Sequence, residues 1–457
     1  MQSIINAVRE KGNSGYLGYT VVNMDRSTPD IAPSKLITAL RGFNLLPAIV
    51  FLPTRRKCDE AASEVALDKS QKTEPERQAK RQAIFDEFAI DFPEVHDHKH
   101  SKVIVNAGVA AHHAGHIPSW KLLIERMMSA GLLNALFATS TVAAGVDFPA
   151  RTVVITNADT RGNDGWRSLT ASELQQMTGR AGRRGRDNVG FVILAPGQFQ
   201  NPKKIAELLK APPDALESKF RATYTSLLNL LDAFGTFEQV REIAEKSFAF
   251  RDSHRQRANS RRRDGADELS DQIWLPFEHR AMVLDHFGYL DFEAETVTES
   301  GKWLADLRID RPLLVGEALK EGIFDDLKIA EAAGLMASVA ADADRSYGEM
   351  RSTRNMTDTL GDFEGLVVMV SNVEWRNGVV PVEEINYSAA AAAERWTAGM
   401  TWDELVDRTK AEEGDLVRLL SRTGEALRQL ANLHASNPAA AAIALTASEA
   451  ILRDPVR

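Results

Sequence analysis

Between residues 33 and 200, short apolar runs bounded by turn residues alternate with stretches of helical spacing. LLPAIVFL (Leu45 to Leu52), RTVVITN (Arg151 to Asn157) and NVGFVILAP (Asn188 to Pro196) read as strands buried on both faces. Leu132 to Ala150 reads as a strand, a polar turn and a small-residue loop. TRRKC, Thr54 to Cys58, opens a helix through Leu67, and Lys69 to Phe92 is charged with helical spacing, predicting a solvated helix. Pro118 introduces an amphipathic helix from Ser119, with Ile117 and Leu122 to Met127 as its apolar faces. This alternation predicts a parallel α/β sheet over 33–200. Near the other end, Gly414 to Leu433 predicts a helix. Asp415 lies in its first turn, and Leu416, Leu419, Leu420, Leu427 and Leu430 form an apolar stripe. Arg418 and Arg422 fall at i, i+4 on one face. The expected fold class is α/β plus all-α.

Candidate chemistry concentrates in QQMTGRAGRRGRD, Gln175 to Asp187, which holds four arginines and three glycines behind the amphipathic run SLTASELQQM. A helix ending in a glycine-loosened turn lets Arg180 and Arg183 project together. Glycine admits close backbone approach and guanidinium forks match phosphate oxygens, so a polyphosphate suits the stretch. The plainer alternative is a solvated basic loop. A second loop, Ala138 to Pro149, brings the Thr139 and Ser140 hydroxyls to a strand end, with Gly145 for close approach and the Asp147 carboxylate for a ribose or an arginine. Its alternative is an N-capped turn with no ligand. Six of the ten histidines gather in HDHKH (His96 to His100) and AAHHAGHIP (Ala110 to Pro118). No cysteine or paired acidic ligand stands at a recognisable spacing, so no metal is assigned. Arg251 to Arg263 is the strongest basic run, either a solvated connector or a phosphate-tracking patch.

Length and charge narrow the classes. A chain of 457 residues predicts roughly three domains, and a net charge of −9 argues against coating nucleic acid by bulk charge while leaving room for a local basic channel. The single cysteine, Cys58, allows no internal disulfide and fits a reducing cytosol. The N-terminal stretch lacks the apolar core of a signal peptide, and no run of about 18 apolar residues occurs, which predicts a soluble cytoplasmic chain.

LPAIVFLPTRRKC, then VAAHHAGHIPSWKLLIERMMSAGLLNALFATSTVAAGVDFPARTVVI, then QQMTGRAGRRG resemble motifs four, five and six of superfamily-two DEAD/DEAH-box helicases. The paired histidine before glycine and the Gly-Arg-Ala-Gly-Arg-Arg-Gly run resemble the superkiller-type, or Ski-like, branch. Asp214 to Leu231 is similar to the segment leaving the second RecA-like domain in that branch. Trp274 to Leu307 is similar to its winged-helix region, with a helix ending at Gly288 and a wing-like turn at Thr298 to Gly301. Gly399 to Leu433 is similar to its C-terminal helical domain with the ratchet helix. The resemblance implies a leading linker (1–32), a second RecA-like domain (33–200), a connector and winged-helix domain (201–310) and a C-terminal helical-bundle domain (311–457). Its arch insertion is absent or minimal, because Asp264 to Gln272 is short and polar.

The same resemblance implies that Gln176, Arg180 and Arg183 act on the γ-phosphate of ATP, the arginines as fingers, while Gly145, Asp147 and Gly179 line the nucleotide side. Thr54, Arg55, Thr139, Ser140 and His113 would contact the nucleic-acid strand, with Arg418 and Arg422 beneath it. No G-x-x-x-x-G-K-[ST] occurs, and DEFA, DELS and DELV lie on charged helical stretches rather than after buried strands. ATP and Mg2+ are therefore expected to be held mainly by a first RecA-like domain outside this chain, in cis or in trans. The chain is expected to be a fragment or split gene product, poorly active alone. Two functions remain. One is the C-terminal half of an ATP-dependent helicase, monomeric, away from membranes and moving 3′ to 5′ on single-stranded RNA or DNA. The other is a non-catalytic nucleic-acid-binding module working with a separate nucleotide-binding chain.

Overall fold

The computed structural model describes residues 29–71, 75–143, 150–162, 165–183, 185, 187–214, 221–247, 266–342, 344–382 and 384–457, with backbone alone over 266–273. They fall into two compact units, 1–215 and 216–457.

The first unit is built on a five-stranded, all-parallel sheet in the order β2-β3-β1-β4-β7. Its strands are β1 (Ala48–Phe51), β2 (Val109–His112), β3 (Ala135–Ala138), β4 (Thr152–Ile155) and β7 (Phe191–Leu194). Every residue of the first four is buried, as the unbroken apolar runs require of strands covered on both faces. Helices α1 (Pro33–Gly42), α2 (Arg55–Leu67), α3 (Pro75–Asp91), α4 (Ser101–Ala107), α5 (Pro118–Ser129), α6 (Ala171–Thr178) and α7 (Pro202–Lys210) surround it. A two-stranded antiparallel hairpin, β5 (Asp159–Gly162) with β6 (Gly165–Ser168), stands apart from the sheet. Local caps explain two helix starts. Thr54 accepts from the Lys57 amide at the start of α2, and Thr170 and Glu173 form a reciprocal capping box on α6.

One expectation is corrected here. The stretch Lys69 to Phe92 is not a solvated helix: α3 buries Phe85, Phe88, Ala89 and the whole of Arg81. The Arg81 guanidinium donates to the carbonyls of Val105 at 2.7 Å, Leu132 at 3.3 Å and Asn106 at 3.3 Å, which lets a charged residue count on the inward face.

The second unit is helical. Its helices include Tyr224–Phe234, Ala266–His286, Ile329–Ala340, Arg354–Arg376, Glu413–Ala431 and Pro438–Ile451, with a short hairpin of β8 (Leu290–Asp291) and β9 (Thr296–Val297). Leu416, Leu419, Leu420, Leu427 and Leu430 are all buried, and their helix packs against Ile329–Ala340 and Pro438–Ile451. Thr298 to Gly301 does not form a wing-like turn: Thr298 caps the helix Glu299–Asp306, accepting from the Gly301 amide at 3.1 Å. No described helix is long and apolar enough to cross a membrane.

Candidate functional site

Ligands of open parallel sheets collect at the carboxyl ends of the strands. Here those ends present a small open cleft lined by Phe51 and Pro53 after β1, Ser140 after β3, Asn157 after β4, Thr160 on the hairpin and Met177 on α6. Of the residues singled out in sequence, Ser140 lines this cleft, whereas the arginine turn lies at the amino ends of β4 and β7. Thr139 and Ser140 are half-buried, their hydroxyls 2.9 Å from that of Thr141 and 3.5 Å from that of Thr160. Thr54 is half-buried and committed to its cap, and Arg55 is the first residue of α2. Gly145 and Asp147 lie outside the described residues, as does the Arg251 to Arg263 run.

The arginine turn leaves the end of α6 and is fastened just ahead of β4 by backbone hydrogen bonds. Ala150 N–H donates to the Arg180 carbonyl at 3.0 Å and Gly182 N–H to the Ala150 carbonyl at 2.7 Å. Gly182 needs its glycine for a φ of +92°, and Gly190 needs its own because a Cβ would sit 2.4 Å from the Ala181 carbonyl oxygen. These glycines bring backbone close to backbone. Gly179, by contrast, ends α6 at an ordinary φ of −62°. Gln176 is exposed on the last turn of α6, and Arg180 is half-buried.

Arg183 does not stand open as its sequence suggests. Its Nε and Nη2 donate to the two carboxylate oxygens of Asp187 at 2.8 and 3.0 Å, and its backbone N–H to Oδ2 at 3.0 Å. Arg151 Nη1 adds a longer contact at 3.7 Å. These donors, Arg183 first, hold the Asp187 carboxyl down to about 2. The fork-on-fork geometry is the one a phosphate would also satisfy. In the chain, the signal for this pair is an acid four residues beyond an arginine.

The histidines converge on an aspartate that the sequence reading missed. Asp59, on α2, accepts from His100 Nε2 at 2.8 Å and His113 Nε2 at 3.2 Å on one oxygen, and from Lys99 Nζ at 2.8 Å on the other. His116 Nε2 lies 3.4 Å from the first oxygen without the direction of a hydrogen bond. His113 and His116 stack at 3.9 Å, and His98 stacks on Trp120 at 3.7 Å. His113 is 1% exposed, so the expectation that it touches a strand is corrected: its ring serves the interior. Burial alone would push Asp59 up, yet the imidazoles and Lys99 outweigh it and hold the carboxyl well below its usual range.

Asp59, His113 and His116 bring ligand-type atoms within 4.8 Å of one another, which invites a metal. The tautomers oppose it. The Gly115 amide donates to His113 Nδ1 at 3.1 Å, leaving the proton on Nε2, where it faces Asp59. The His100 amide donates to His98 Nδ1 at 3.2 Å, so His98 Nε2 carries a proton toward His116 Nδ1, 3.1 Å away. His116 is thereby protonated on Nε2 as well. A metal ligand needs those nitrogens bare, with the far N–H donating outward. The cluster is a hydrogen-bonded anchor joining α2, the segment before α4 and the loop after β2.

Two further features matter in their own units. The hairpin β5–β6 exposes Trp166, with Arg161 as its cross-strand partner. In the helical unit Arg422 is bound rather than open: Nη1 donates to Asp342 at 2.9 Å and Nη2 to Asp310 at 2.7 Å. Arg345 links Asp342 to Asp415, and Arg418 lies 3.9 Å from Asp415 with its side chain exposed.

Residues 96–185 match the helicase conserved C-terminal domain, and residues 294–457 match the DSHCT (NUC185) domain. The chain is 37% identical over 222 residues to human superkiller complex protein 2, covering 47% of this chain and 17% of that protein. It matches the C-terminal portion of the Ski-like helicases. Two further relatives match over similar shares of the chain. The chloroplastic DExH-box ATP-dependent RNA helicase DExH15 of Arabidopsis thaliana is 36% identical over 231 residues, 46% of this chain and 19% of its own length. The probable helicase HelY of Mycobacterium tuberculosis is 33% identical over 219 residues, 47% of this chain and 24% of its own length. The matched region is thus a quarter or less of each of these three proteins.

Proposed function

We propose that this chain is the motor-closing and strand-guiding half of an ATP-dependent nucleic-acid helicase. The observation that carries the reading is the Arg183–Asp187 fork. It is a preformed two-point oxyanion clamp on a turn fastened at the amino end of β4 in the parallel sheet, holding a carboxylate where a phosphate would bind. In the reaction Arg183 exchanges Asp187 for γ-phosphoryl oxygens, Arg180 joins it, and Gln176 orients the groups around them. Charge on those oxygens grows toward the transition state, so arginines placed there lower the barrier. Gly179, Gly145 and Asp147 line the nucleotide side. ATP and Mg2+ are held mainly by a first RecA-like domain, which is also the principal partner.

Thr54, Arg55, Thr139 and Ser140 hold strand phosphates, and Arg418 with Arg422 contacts the strand from the helical unit. Trp166 offers a π-face on which a base stacks. The name of the RNA helicase DExH15 favours RNA as the strand; 3′ to 5′ movement follows from the resemblance to the family, and the single cysteine fits a cytoplasmic setting. The region around β8 and β9 serves as the winged helix. The test is steady-state ATP hydrolysis by this chain and by a chain that also carries an ATP-cradling domain, each with and without single-stranded RNA and DNA. Only the longer chain is expected to turn over ATP, and faster with strand. Strand-stimulated hydrolysis by this chain alone would overturn the division of labour.

A further inference from the structure

The helix Arg354–Arg376 has a solvent face that its own unit leaves uncovered. Its core side is Met356, Leu360, Phe363, Val367 and Val370, all buried. Opposite them run Gly361, Gly365, Val368, Asn372 and Trp375, spaced three and four apart and therefore on one stripe. Trp375 is 73% exposed, Val368 60% and Met369 38%. A Cβ added at Gly361 or Gly365 would meet nothing within 4 Å, so no neighbour in this unit requires glycine there. Glycine is also the poorest ordinary helix former, and two of them on an open helix face are unexplained by the fold.

The stripe complements itself. Trp375 and Gly361 stand seven residues on either side of Val368. An antiparallel copy of the helix centred on Val368 therefore lays each Trp375 ring over the partner's bare Gly361, with Val368 against its own image. In antiparallel pairs like flanks meet, and Arg376 shares a flank with Asp358 and Asp362. The same register brings each Arg376 between Asp358 and Asp362 of the other copy. Among the described residues none of these three has an ionic partner within its own chain. We propose that this face is a two-fold dimer interface between copies of the chain, anchored by Trp375 in the Gly361 seat and oriented by Arg376 with Asp358 and Asp362. It replaces the monomer expected from the sequence. One helix face makes an interface at the small end of the range, so association is weak and concentration-dependent.

Sedimentation velocity over a concentration series tests it. The wild-type chain is expected to show a reversible monomer–dimer equilibrium, and Trp375→Ala to weaken it about 10- to 100-fold, as burying tryptophan anchors do. Gly361→Gln fills the seat while favouring the helix, so it is expected to raise or maintain the melting temperature and still abolish the dimer. Loss of dimer there cannot be misfolding. Arg376→Asp and the double variant Asp358→Arg with Asp362→Arg are each expected to be monomeric, and an equal mixture to form heterodimers, because the charges then match at both ends. A wild-type chain that stays monomeric at every concentration, or a dimer indifferent to Gly361→Gln, overturns the proposal. So does a wild-type chain that is monomeric alone and whose Trp375 becomes shielded only when an upstream domain is joined to it, since that domain would then own the face.

Discussion

Asp59 and Asp187 each collect several donors in the sheet unit, yet the donors differ in what else they can reach. Around Asp59 the imidazoles of His100, His113 and His116 are 4% exposed or less and come from two separate chain segments. Their protons have nowhere to turn, and the aspartate knits α2 to the loop after β2. Around Asp187 the main donor is one guanidinium four residues away, 22% exposed, on a turn between glycines at positive φ. Arg183 can exchange one pair of oxygens for another without opening the core. A dense cluster of chemical side chains is thus structural when its donors are sealed in. It becomes a candidate site when the donor reaches solvent and the acceptor resembles a ligand.

Replacing the donors should separate the two clearly. In a chain that includes an ATP-cradling domain, Arg183→Ala is expected to lower the ATP turnover rate by roughly three to five orders of magnitude, while costing about 1–3 kcal/mol of stability because the buried Asp187 loses its main donor. Single-turnover hydrolysis checks it, and a loss below tenfold would make the turn structural. Asp59→Ala should act mainly on stability, costing about 3 kcal/mol in urea unfolding by stranding buried imidazole N–H groups.

Acid should find the same region. Burial pushes His98 down to about 2 and His116 to about 3, so both are neutral in the folded chain. A histidine depressed on folding contributes stability above its unfolded value near 6.5 and loses it as the pH falls below that. Two such groups predict a decline of roughly 1–3 kcal/mol per pH unit beneath pH 6.5. Unfolding midpoints at pH 7.5, 6.5 and 5.5 measure it, and flat midpoints would mean that the rings are not held neutral. The smallest effect is at Arg422. Its two acidic partners already share it, so Arg422→Ala should weaken single-strand binding by about 1 kcal/mol, several-fold in Kd, with a shallower salt dependence.

Much of this was legible in the chain, and the exceptions have physical causes. β1, β3, β4 and β7 are apolar runs between turn residues, so burial on both faces wrote them directly into the sequence. β2 escaped because His112 ends a four-residue strand inside a histidine-rich segment. The hairpin β5–β6 escaped because DTRG and GWRS carry no apolar face. Asp59 was invisible as an anchor because it lies 41 and 54 positions from the histidines it joins. Arg183 and Arg422 were read as open because sequence reveals a charge but not its counter-charge. For Arg422 the acids are 80 and 112 positions away. At Arg81 a charge counted as surface because only folded geometry could bring three carbonyls to it.

The claim at the centre is that Asp187 holds the place of a phosphate on Arg183. Equilibrium binding of a non-hydrolysable ATP analogue to a chain with the ATP-cradling domain, wild type against Asp187→Asn, tests it most directly. Removing the competing charge should tighten binding several-fold, and Arg183→Ala should erase that gain. Unchanged or weaker binding in Asp187→Asn would contradict it, leaving the pair as a fixed brace of the turn.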